Sequence, residues 1–322
     1  MEKTIQSVSK KINFDKSGYF ILASIPVIIL AFWPSYFSII FSHIITPSSY
    51  SHFHGIMMSI WISLLIVQPI LFRKKKLKIH RLIGKISYVV GPVVFLSMLM
   101  ITHQTRRVII SPEAITFTNL DLWLICYTLA IVYRHKIYIH ARAMIGTGIS
   151  LLDPIIMRFM FYIVVPTTHI SELTAFFIGA GIVLGVPIAL IILERNQKKG
   201  RWVFPLVLGY YILGYSIIIF KIKIPPDSFN KWFNSLTLTP DPKPTNNLVD
   251  YTGVYSLGEK KMNIRDSLYF LVSDDYMMVW KKNDEFFHTA SESVKFERND
   301  KGRVIILKKY FGDKVFETWK KE

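Results

Sequence analysis

Seven apolar stretches dominate the first two thirds of the chain and restrict what it can fold into. They run at about 19–42, 54–72, 82–103, 117–133, 141–165, 173–193 and 203–220. Each is close to the roughly 20 residues that an α-helix needs to cross a hydrocarbon core about 30 Å thick. A chain of 322 residues that is 51% hydrophobic and 14% aromatic belongs with membrane proteins on composition as well. The segment before the first stretch, MEKTIQSVSKKINFDKSG, is polar and no small-residue cleavage pattern follows. The first stretch therefore reads as a retained helix, not as a removed signal peptide.

The net charge of +17 could suggest nucleic acid, but its distribution does not. From residue 250 onward 14 basic residues face 13 acidic ones, whereas the preceding part holds 25 basic against 9 acidic. The excess sits in alternate short loops: the N-terminus (Lys3, Lys10, Lys11, Lys16), Arg73 to Lys85, Arg134 to Arg142 and Arg195 to Arg201. Loops rich in Lys and Arg face the cytoplasm. The expected partner is thus the lipid bilayer and not nucleic acid, with the N-terminus cytoplasmic and the C-terminus extracytoplasmic after seven spans of an inner or plasma membrane. Arg106 and Arg107 fall on the outer side and depart from this pattern. Cys126 is the only cysteine and can form no intramolecular disulfide.

The tail is a different polymer. Residues 223–249 are rich in proline and asparagine and read as a linker. From Tyr251 short alternating runs (YTGVYSL, SLYFLV, YMMVW, SVKFER, RVIILKKY, KVFETW) are separated by turn signals such as NDKG at 299–302. The fold class expected is an all-α transmembrane bundle of seven helices (1–222) followed by a small antiparallel β meander or barrel (250–322). The tail, through YTGVY, SLYFLV and FFHTASESVKFERNDKGRVIILKKYFG, resembles the small β domain at the C-terminus of β-lactamase-related serine hydrolases. No SxxK with a matching KTG accompanies it, so the resemblance brings no catalytic serine and no ligand for the β domain.

Within the bundle the chemistry-bearing residues sit at helix ends and at a few buried depths. His80 and Arg81 open the third stretch, and His140 and Arg142 open the fifth. If these helices are neighbours, two imidazoles at one depth suit a single haem iron, with arginines near the propionates, or part of a metal site. At the other end His54 opens the second stretch and His103 closes the third, roughly 27 Å away at the α-helical rise. The two ends cannot share one metal. Asp153 and Arg158 lie deep in the fifth stretch, where isolated charges are costly and should face the bundle interior. Pro154 follows Asp153 and could kink the helix. Gln68 and Asp121 are the polar neighbours expected for that pair. Gly181 and Gly185 have the spacing for close helix contact.

The segment 50–165 resembles a family of bacterial polytopic membrane proteins of undefined function. It is marked by a histidine opening one helix (His54), an HRxxG at the start of the next (His80, Arg81, Gly84) and a later HxRxM (His140, Arg142, Met144) followed by Arg158. The arrangement is similar to the cytochrome b561 type as well, except that the fourth stretch has no histidine, so His103 would have to complete an outer pair. That resemblance implies haem b and electron transfer, with a quinone or another redox partner. The rival readings are a transporter or membrane-embedded metal-dependent enzyme built on Asp153 and Arg158, and a non-catalytic anchor or sensor that binds through its β domain. The enzyme reading has no HExxH spacing behind it.

Overall fold

The computed structural model describes residues 14–42, 48–106, 113–168, 170–220, 222, 227–236, 238, 248–267, 270–273, 277–287, 292–311 and 313–322. His43, His169, His288, Arg107 and most of the linker lie outside them.

The first apolar stretch forms α1 (Ser17–Ala23), α2 (Ile25–Phe32), a π turn (Trp33–Phe37) and α3 (Ser38–Ser42). Next come α4 (Ser49–Arg73), α5 (Leu77–Arg106), α6 (Glu113–Val132) and α7 (Ile137–Ile149). The fifth stretch breaks after α7 at Ser150 and resumes as α8 (Leu152–Phe159), a second π turn (Met160–Val164) and α9 (Val165–Thr168). Pro154 stands in the first turn of α8, where a missing N–H costs nothing, so the proline marks a new helix start. The helical part ends with α10 (Glu172–Leu193), α11 (Val203–Ile219) and the short α12 (Asp227–Ser235). Serine caps start two of the long helices: Ser48 Oγ accepts from Ser51 N, and Ser171 Oγ accepts from Thr174 N, both at 3.1 Å.

Among the described residues five helical segments are long and apolar enough to cross a membrane: Ser17–Phe37, Ser49–Arg73, Leu77–Gln104, Ile137–Thr168 and Glu172–Leu193. Phe117–Val132 and Val203–Ile219 are apolar but shorter. The outer faces of these helices are themselves apolar, with Phe20 75%, Val89 69% and Leu173 66% exposed, a surface suited to lipid and not to water.

Helices α4, α5, α6 and α7 form a ring in which α4 packs on α5, α5 on α6, α6 on α7 and α7 on α4, so α5 and α7 face each other across it. Trp61, Phe95, Trp123 and Tyr127 fill its middle, with Trp123 stacked on Tyr127 at 5.1 Å. Glycines permit the close crossings. A Cβ on Gly91 would run into the Tyr127 ring, and one on Gly18 into the Ile66 carbonyl. Gly181 and Gly185 do not serve this purpose: both are exposed on α10, and a Cβ there would meet nothing within 4 Å.

Among its described residues the tail forms eight antiparallel strands in sequence order: β1 (Gly253–Leu257), β2 (Lys260–Ser267), β3 (Phe270–Val272), β4 (Met277–Lys282), β5 (Glu285–Phe287), β6 (Glu292–Arg298), β7 (Val304–Phe311) and β8 (Lys314–Lys321). β8 pairs back on β1 through Tyr255↔Lys321, closing the meander. Alternate residues point inward, so Tyr255, Ile264, Leu271, Phe286, Phe296 and Leu307 make the core. At the β6–β7 turn Asn299 Oδ1 accepts from the backbone N–H groups of Lys301 and Arg303, and Gly302 takes φ +74°, as the NDKG signal requires. β4 lies against the Trp33–Phe37 turn, at the end of the bundle away from the basic loops.

One corner of this domain should respond to pH. Tyr251 donates to Asp284 Oδ1 at 2.6 Å beneath the Arg298 guanidinium, and burial together with that bond pushes its hydroxyl up to about 12. A proton held more tightly in the fold than in the unfolded chain stabilises the domain fully below pH 10, and that contribution is lost as the pH rises from 10 to 12. The loss should reach about 2–3 kcal/mol. Calorimetry of the full chain should show the β-domain transition falling in that window more steeply for the native protein than for Tyr251→Phe. Identical pH profiles for the two would refute the assignment.

Candidate functional site

The loop between α4 and α5 is short because Lys75 adopts a left-handed turn, φ 58°, and this returns the first turn of α5 against the last turns of α4. His80 thereby reaches α4: its Nδ1 lies 3.2 Å from the Gln68 carbonyl and its ring meets the edge of Phe72. The α6–α7 loop repeats the arrangement, with His140 Nδ1 2.9 Å from the carbonyl of Ala130. That carbonyl is among the last four of α6, which have no acceptor role within their own helix.

A carbonyl only accepts, so in both histidines the proton is on Nδ1 and a neutral ring carries its lone pair on Nε2. Fixing Nδ1–H on a backbone carbonyl is the arrangement that orients an imidazole as an iron or metal ligand. The two rings stand on the facing helices α5 and α7, within electrostatic reach of each other. Gln68 adds an unusual feature: both atoms of its side-chain amide are buried and have no partner among the described residues. Gly84 of the HRxxG element faces that amide, its Cβ position lying 3.9 Å from Gln68 Nε2.

The two arginines of the motifs have different fates. Arg81 is exposed and turns its Nε back to the Leu77 carbonyl at 3.3 Å. Arg142 is buried. Its Nε donates to Glu194 Oε2 at 2.7 Å, its Nη1 donates to the Tyr138 carbonyl at 2.6 Å, and the guanidinium lies over Phe14. Glu194, at the end of α10, is the partner that sequence reasoning missed.

At the opposite end of the bundle His54 and His103 are not brought together. Ser97 Oγ gives its own proton to the Val94 carbonyl at 2.7 Å, so His54 Nδ1 donates to Ser97 Oγ, at 3.3 Å. His103 stands six residues further along α5, roughly 9 Å in helical rise, and packs edge-on against Phe233 of α12. Arg158 is within electrostatic reach of His54, lies over Phe32 and donates Nη1 to the Pro154 carbonyl at 3.1 Å.

Asp153 is buried among partners that the sequence did not indicate. Its Oδ1 accepts from Tyr215 OH at 2.6 Å and its Oδ2 from Asn119 Nδ2 at 2.8 Å, so α6, α8 and α11 meet at one carboxylate. Tyr211 OH donates to the Ile149 carbonyl beside it, at 2.7 Å. A cavity of about 10 Å³, room for about one water, opens between Asn119, Asp153 and Tyr215, and Asn119 Oδ1 is buried there without a partner among the described residues. Gln68 and Asp121 are not in this cluster; Asp121 sits 3.5 Å from the Tyr210 hydroxyl. Among the described residues no three of His, Cys, Asp and Glu gather as a metal-binding group. No protein family, curated protein or solved structure matches the chain.

Proposed function

We propose that the bundle is a b-type haem protein that passes electrons at the membrane, with His80 and His140 as the residues that would hold the iron of one haem. The observation that carries this reading is the pair of Nδ1–H bonds to Gln68 and Ala130, which leaves both Nε2 lone pairs for an iron. A haem held there would supply a one-electron couple. Arg81, at the same end, is the cation available to a propionate, while Arg142 acts by tying α7 to Glu194. The separate surroundings of His54 and His103 give no support to a second haem.

The same reading takes the helices as seven spans of a bacterial inner or plasma membrane, with the N-terminus cytoplasmic and the β domain outside. What supports it is the gathering of the basic loops at one end of the bundle and the contact of β4 with the other. A quinone or a redox protein is the partner class for such a centre.

Purified in mild detergent, the full chain should show a Soret band that shifts on reduction, together with iron by metal analysis. His80→Ala and His140→Ala should each abolish the low-spin spectrum while the thermal transition persists. A colourless, iron-free native protein that also gains no Soret shift on titration with hemin would end the haem reading.

A further inference from the structure

A second built site lies at the same end of the bundle, where the start of α7 meets the α10–α11 loop. A cavity of about 470 Å³ opens there, and its lining combines His135, Lys136 and Lys199 with the apolar Ile137 and Ile139. Gly200 brings the α10–α11 loop against α7. It takes φ +72°, and a Cβ on it would press on the Tyr138 carbonyl at 3.2 Å and on Arg142 Nη1 at 3.3 Å, so only glycine lets the loop close this tightly on α7. The closure holds Lys199 Nζ over the Tyr138 ring at 5.9 Å, and Lys136 Nζ lies over Tyr133 at 5.2 Å.

Neither lysine has a carboxylate partner among the described residues, and Glu194, the carboxylate nearest in sequence to Lys199, is occupied by Arg142. Lys136 is the N-cap of α7 and supplies no side-chain acceptor to that helix, whose N-terminal dipole adds to the positive field. Beside these cations the wall is apolar and open: Ile137 is 48% exposed and Tyr138 44%. A free inorganic anion would use the lysines and leave the isoleucines uncovered. A membrane lipid uses both, its phosphate on the lysines and its glycerol and upper acyl chain on the isoleucines.

We propose that this cavity binds the headgroup of an anionic phospholipid, with Lys136 and Lys199 on the phosphate. The proposal does not depend on a haem at His80 and His140. Basic pockets between membrane helices hold such headgroups, each lysine adding several-fold to affinity.

The test uses full-length protein in detergent and native mass spectrometry of retained lipid. The native protein should hold phosphatidylglycerol in preference to phosphatidylcholine. Lys136→Gln with Lys199→Gln should weaken that retention by about thirty-fold in total. Lys74→Gln with Lys78→Gln, which removes the same charge from the α4–α5 turn, should leave it nearly unchanged. Equal losses in the two double variants would show diffuse attraction to a basic surface and overturn the site, as would equal retention of the two lipids. Competition by millimolar inorganic phosphate as effective as that by phosphatidylglycerol would replace the lipid with a free anion.

Discussion

Glu194→Ala should be the most damaging single change in the bundle, lowering its stability by about 3–5 kcal/mol. Glu194 and Arg142 are each only 1% exposed at the side chain, and their bond at 2.7 Å joins α10 to α7. Removing the carboxylate leaves a guanidinium enclosed by Phe14, Tyr138 and Gly200 with no opposing charge. An uncompensated buried ion costs far more than the pair contributes when intact. The same logic predicts a smaller loss for Glu194→Gln, whose amide oxygen still accepts from Arg142 Nε. It also predicts a substantial recovery when Glu194→Met is combined with Arg142→Met, because no charge is then stranded. Thermal unfolding in detergent provides the measurement. A Glu194→Ala protein that melts with the native one would mean that water reaches Arg142 and the pair is not buried in solution. Because Arg142 lies two residues after His140 on α7, Glu194→Ala should also disturb the histidine, whereas the double methionine variant should leave its Nδ1 bond to Ala130 in place.

Those partnerships separate what could be read from the sequence from what could not. Apolar run length located the helices, and the residues that open them located His80 and His140, since a helix end depends on local signals. Most of the β domain was legible for the same reason: alternation sets much of its inward face and NDKG forms the turn its residue types require, while β2 and β5, whose runs are charged or only three residues long, are not among the runs that read as strands. Glu194 pairs with Arg142 across 52 positions, and Asn119 and Tyr215 reach Asp153 across 34 and 62. No spacing rule spans such distances, so the sequence marked the costly residues without their partners. Glu194 did carry a signal, as the lone carboxylate closing an apolar span in a loop otherwise basic. Gly181 and Gly185 show the opposite failure. Their spacing suits a close crossing, but packing decides which face of a helix turns inward, and α10 buries Ala175, Gly179, Ala180 and Val183 instead.

Asp153→Ala should be the second large effect, a loss of about 3 kcal/mol or more, because it withdraws the acceptor from two buried donors at once. Tyr215 and Asn119 both donate to that carboxylate, from α11 and α6. Arg158, five residues on, makes no ion pair with a described carboxylate, so the two charges of this region do not neutralise each other directly. Tyr215→Phe removes one of the two bonds and should cost less. Combined with Asp153→Ala it should add little, giving a coupling of about 1 kcal/mol or more in the double-mutant cycle. That non-additivity is the signature of a knot holding three helices. The rival reading, in which Asp153 carries a proton or solute across the membrane, requires a carboxylate the bundle can do without structurally. If Asp153→Ala melts at the native temperature, the cost of keeping this carboxylate buried must be offset by an activity. The cavity between Asn119, Asp153 and Tyr215 would then be the place where transport begins.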